Sequence, residues 1–167
     1  MLSLFISLAI LVFMIYNVIV LAIFGVPKSL SMTYYLYKDN YKCGWVFPIM
    51  MYVMVALLMP NWITLSSGST FQFLSFLAPT GILFVGTAPA FKSSSLENSV
   101  HQVSAYLAAA FSLLWIGLVT PFWYIIPIVL VLIALLAIVT RTIKSSYIYW
   151  LEMVAFLATF ISILLFI

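Results

Sequence analysis

Charge is nearly missing from this chain. Six Lys and Arg and three Asp and Glu stand among 167 residues, 5% charged against 67% hydrophobic. A soluble domain usually carries about 25% charged residues, so water is not its main solvent. One cysteine, Cys43, excludes an intramolecular disulfide and any CxxC metal or redox motif. One histidine, His101, excludes the intramembrane chemistries that need three histidines. With Cys43 and two well-placed Glu residues it makes a poor kit for a metal site, which takes about three protein ligands. The six cations are scattered among short connections, so no basic stripe invites nucleic acid. No GxSxG, phosphate-binding loop or dinucleotide fingerprint is present. No cofactor is implied.

What the chain has instead is long apolar runs. A membrane span needs about 20 mostly apolar residues, and six segments qualify: roughly 2–26, 44–65, 70–91, 99–119, 122–140 and 146–167. The expected fold is all-α, a polytopic membrane protein forming one compact bundle of six transmembrane helices over residues 1–167. The first run lacks a basic start and a small-x-small cleavage site, so it reads as an uncleaved helix rather than a signal peptide.

The connections alternate in charge. Lys28, Lys38 and Lys42 follow the first span, Lys92 the third, and Arg141 and Lys144 the fifth. The connections after the second and fourth spans carry no basic residue. Basic residues favour the cytoplasmic side. This places 27–43, 92–98 and 141–145 in the cytoplasm and both termini outside it. Trp62 and Trp123 then fall at the outer interface, and Trp45, Trp150, Tyr147 and Tyr149 at the inner one, where amphipathic rings prefer to sit. The connection 27–43 is rich in Tyr and Lys and reads as an interfacial linker carrying a short helix. Its lysines suit anionic headgroups.

The third span is unusual. It holds Pro79, Gly81, Gly86 and Pro89. Proline removes a backbone bond and clashes with the preceding turn, while glycine lets another backbone approach. The expectation is a kinked helix inside the bundle, with Thr80 and Thr87 near the freed carbonyls. It either packs tightly or opens a cavity, as interrupted helices do in transporters.

Ionisable residues gather in one half of the membrane. Glu152 lies about six residues into the last span, and His101 near the start of the fourth. Glu97 precedes His101 by four, a spacing that shares a helix face. Lys92 and Arg141 flank the same level. A carboxylate inside a membrane normally faces the bundle interior and takes a partner. His101 or Arg141 is the expected partner of Glu152.

The segment Gly86-Thr87-Ala88-Pro89, with His101 and Ala105 downstream, resembles a G-x-x-P…H-x-x-x-A pattern of the FRAG/DRAM/Sfk group of six-span membrane proteins. The likeness covers about twenty residues and carries over Gly86, Pro89 and His101. It implies a six-helix bundle with a lipid-linked or regulatory role. The near absence of outer loops departs from that group. The chain also resembles small membrane proteins of gut Bacteroides-type bacteria and their phages, which implies a bacterial inner (plasma) membrane.

The leading expectation is a non-enzymatic integral membrane protein. It binds a lipid, a partner membrane protein or a second copy of itself through a cytoplasm-side pocket near His101, Glu152 and Pro89. The alternatives are a small transporter or proton-coupled channel using Glu152 and His101, and a membrane-embedded enzyme.

Overall fold

The structure, a computed structural model, describes residues 1–139 and 145–167. Among the described residues all regular structure is helical: α1 (Leu2–Phe24), α2 (Thr33–Tyr41), α3 (Val46–Leu65), α4 (Leu74–Thr87), α5 (Ser95–Val119), α6 (Ile125–Val139) and α7 (Tyr147–Phe166). Four of them, α1, α3, α5 and α7, are long and apolar enough to cross a membrane. Apolar chains take this form in lipid because a helix satisfies its own backbone groups. The chain reads as a helical membrane protein.

Helix α4 packs between α3 and α5, α1 lies against α3 and α7, and α6 lies mainly on α7. Phe13, Phe47, Met54, Leu58, Trp62, Trp115 and Ile163 are the buried centre.

Several boundaries moved for identifiable reasons. Helix α5 begins a turn before the expected 99, because Ser94 caps it and its Oγ accepts the Glu97 N–H at 3.2 Å. The Ser93 hydroxyl donates to the Glu97 carboxylate. Ser94 and Glu97 form the S-x-x-E spacing of a helix start. Helix α4 is shorter than the expected 70–91. Its first residues form turns, with Gln72 N–H bonded to Ser69 O and Leu74 N–H to Phe71 O.

The third span, expected to be enclosed in the bundle, is half exposed as α4. The helix runs unbroken through Pro79, Gly81 and Gly86. It ends at Thr87, one residue before Ala88, which takes φ −110° and ψ 57°. A residue preceding proline is pushed away from helical geometry, so Pro89 terminates the helix rather than kinking it. Nor is α4 enclosed. Gly81, Ile82, Val85 and Gly86 are buried, while Thr80, Leu83, Phe84 and Thr87 are exposed. Thr80 and Thr87 do not serve the carbonyl freed by Pro79. Their hydroxyls return to Phe76 O at 2.6 Å and Leu83 O at 2.8 Å.

The glycines explain the buried face. A Cβ on Gly81 would stand 2.6 Å from the Ala108 backbone nitrogen, so α4 and α5 touch backbone to backbone there. A Cβ on Gly86 would stand 2.9 Å from Met51 Cβ on α3.

Two expected interface anchors are core residues. Trp62 is fully buried and meets Trp115 edge-on at 6.4 Å. Tyr149 is 1% exposed, and its hydroxyl donates to Asn17 Oδ1 on α1 at 3.0 Å. Trp45, Trp123 and Tyr147 are exposed, as anchors would be.

Candidate functional site: a cavity lined by Glu152

The connection between α1 and α2 carries the expected short helix, α2, and the segment before it is largely buried. Pro27, Ser29, Leu30, Ser31 and Thr33 are buried. The segment folds back onto the start of α7. Tyr149 N–H donates to Lys28 O at 3.2 Å, and Ser146 Oγ donates to Val26 O at 3.4 Å. Thr33 Oγ1 donates to Leu30 O at 2.6 Å. Its single proton is thereby used, so the Tyr16 hydroxyl on α1 donates to Thr33 in turn. Helix α2 is thus tied to α1 through Thr33 and to α7 through the segment that precedes it.

Glu152 is the end point of this connection. Its Oε2 accepts the Leu30 N–H at 2.6 Å, across 122 residues of sequence. A hydrogen bond to a carboxylate is stronger than a neutral one. Here it joins the α1–α2 connection to the second turn of α7. Arg141, one of the expected partners, lies outside the described residues. His101, the other, does not pair with Glu152.

His101 has a different task. It sits 6% exposed on α5, and its Nδ1 lies 2.9 Å from Ala88 O. A carbonyl only accepts, so Nδ1 carries the proton. The last carbonyls of a helix have no partner within it, and His101 supplies one at the end of α4. Its ring stacks on Phe91 at 4.6 Å. Phe91 meets Tyr35 of α2 edge-on, and the Tyr35 hydroxyl accepts the Lys92 N–H at 2.7 Å. The Lys92 ammonium lies over the same Tyr35 ring at 4.6 Å. Glu97 is engaged by Ser93, one turn before His101 on α5. Pro89, Lys92, Glu97 and His101 therefore gather at the α4–α5 turn, docked on α2.

A cavity of about 270 Å³ lies between α3, α4, α5 and α7. Glu152 and Leu30 line it, and His101 and Pro89 do not. Its α5 wall is made of small residues, Ala105, Ala108 and Ala109. Met51 and Leu58 of α3 and Phe156 of α7 face the same space. On α7 the wall runs from Tyr147 to Thr159, about 18 Å at 1.5 Å per residue. On α3 it runs from Met51 to Trp62, about 16 Å. The space is elongated along the helices and apolar over most of that length. Its outer edge is formed by Tyr106, Tyr147 and Ile148, which are 74%, 52% and 44% exposed.

No family model, curated protein or solved structure matches the chain. The chemistry of the site has to carry the functional reading.

Sequence reasoning picked out Glu152 and its depth. It missed Leu30, whose contribution is a backbone N–H that every non-proline residue owns. It also missed the alanine wall. The spacing of Ala105, Ala108 and Ala109 at i, i+3 and i+4 was the available signal, since those positions share a helix face.

Proposed function

We propose that this is a small non-enzymatic integral membrane protein of six spans. Its termini lie outside the cytoplasm and its basic connections inside. It holds the apolar chain of a membrane lipid in the cavity beside Glu152. The observation that carries this reading is one elongated space with an apolar wall, an exposed edge and a carboxylate set between Tyr147 and Thr159 of its α7 wall. Ligand sites are characteristically concave, mostly apolar and supplied with a few placed polar groups. An exposed edge formed by Tyr106 and Ile148 suits entry from lipid rather than from water.

Two observations support the six-span arrangement. The short connection at 66–73 joins α3 and α4 as an antiparallel pair, and 120–124 joins α5 and α6 closely. Both lack basic residues, whereas the connections at the other end hold the cations. Helices α4 and α6, shorter than the other four, complete the count with their flanking turns.

The direct test of binding is native mass spectrometry of the protein released from lipid nanodiscs. A retained lipid, lost when Ala109→Phe fills the wall, is the expected result. Equal retention by both forms would refute the reading. Topology is tested in a Cys43→Ser background. Ser67→Cys should react with a membrane-impermeant thiol reagent on intact cells, and Leu96→Cys only after permeabilisation.

A further inference from the structure

We infer that the cavity selects a cationic amphiphile, with a primary ammonium head at Glu152 and a single apolar chain along the alanine wall. This rests on the lipid-pocket reading above and specifies its ligand.

Among the described residues that line the cavity, Glu152 is the one carboxylic acid and none is Lys, Arg or His. Its Oε2 takes the Leu30 N–H. A carboxylate has about four acceptor positions on two oxygens, so one backbone donor leaves capacity for a ligand. A charge in an apolar membrane interior is stabilised by an opposite charge and hydrogen bonds. A primary ammonium offers both, with three donors on a compact head. A quaternary ammonium offers the charge without the donors, and a hydroxyl offers a donor without the charge.

The rest of the lining is mostly apolar. Leu30, Leu151 and Ala155 line the cavity together with Glu152. From there the wall continues past Ala108 and Ala109 to Ser112 and Thr159. The Ser112 and Thr159 hydroxyls are already bonded to Ala108 O and Ala155 O on their own helices. That end therefore calls for hydrocarbon. The complementary molecule is cationic at one end and apolar beyond it. A sphingoid base of the bilayer and a free long-chain amine share this chemistry, each with a primary ammonium on a single chain and no phosphate.

The test is saturable binding of radiolabelled dodecylamine, dodecanol and dodecanoate to the purified full-length protein in detergent at neutral pH. Dodecylamine should bind at least about tenfold more tightly than dodecanol, a difference of about 1.4 kcal/mol, and dodecanoate most weakly. Glu152→Gln keeps the volume and one acceptor oxygen but removes the charge. It should erase the preference for the amine over dodecanol. Ala109→Phe should abolish binding of all three. Ala155→Phe, from the opposite wall, should do the same if Ala109→Phe fails to fold. An amine that binds no better than the alcohol, or a preference that survives Glu152→Gln, overturns the inference while dodecanol binding leaves the pocket reading standing. Absence of saturable binding by any of the three overturns both. Protein reconstituted in phosphatidylcholine doped with equal amounts of sphinganine and dodecylamine separates the sources. Selective retention of sphinganine supports an aminolipid of the bilayer. Retention of dodecylamine without sphinganine supports a free amine, and retention of neither overturns the inference.

Discussion

Substituting Gly81 by alanine tests whether the cavity's walls are fixed by backbone contact between α4 and α5. The added Cβ would lie 2.6 Å from Ala108 N, 2.8 Å from its Cα and 2.8 Å from its Cβ. Two of those atoms are backbone and cannot rotate away, so the helices must separate. Overpacking of this kind costs about 1–3 kcal/mol, and a backbone clash belongs at the upper end. Alanine also gains about 1 kcal/mol over glycine inside a helix. The net expectation is a loss of about 1–2 kcal/mol, a factor of roughly 5–30 in the unfolding equilibrium. Gly86→Ala is the comparison, because its nearest contacts are the Met51 and Tyr52 side chains at 2.9 and 3.0 Å. It should lose less. Reversible unfolding in mixed micelles measures both. Adding Ala108→Gly to Gly81→Ala removes one of the three contacts and should restore part of the loss, and the double-mutant cycle isolates that part. A Gly81→Ala protein as stable as the parent would refute the backbone contact and the wall position built on it.

Three further outcomes follow from the hydrogen-bond geometry. Tyr149→Phe removes the donor to Asn17 Oδ1 and should cost about 0.6 kcal/mol, up to about 1.7, the range for such bonds between membrane helices; no change in unfolding would count against the α1–α7 link. His101→Phe keeps a ring against Phe91 but leaves Ala88 O without its donor. It should lower stability by about 1 kcal/mol and leave ligand affinity unchanged, so a lost affinity would place His101 in the binding site. Glu152→Leu removes the acceptor of the Leu30 N–H. It should raise hydrogen exchange at Leu30 and over Thr33–Tyr41, and unchanged protection there would deny that Glu152 anchors the α1–α2 connection.

The long apolar runs made the helices legible, and the limits of α1, α3 and α7 fell within about two residues of expectation. The start of α5 was legible too, in Ser94 and Glu97, but hydropathy alone placed it four residues late. Burial within the membrane was harder to read. Lipid-facing and core positions are both apolar here, so composition could not tell Trp62, fully buried, from Trp123, 65% exposed. The burial of the connection 27–33 was hidden for the opposite reason. Its serines and lysine look solvated, yet Ser29 and Ser31 bond each other at 3.0 Å and are buried with Leu30. Glu152 was legible as a costly group needing company, because charge inside a span is rare. Its bond to Leu30 was not, since a backbone donor 122 residues away leaves no mark in the sequence. Gly81 and Gly86 announced close approach correctly, but only three-dimensional packing assigns Gly81 to α5 and Gly86 to α3.

An experimental structure of the protein in a lipid bilayer tests the central claim most directly, through what fills the space between α3, α5 and α7. The account predicts continuous chain-like density along Ala108, Met51 and Phe156, with its polar end within hydrogen-bond reach of Glu152. A space closed by side chains of the protein itself, or filled with ordered water from Glu152 to Thr159, would contradict it.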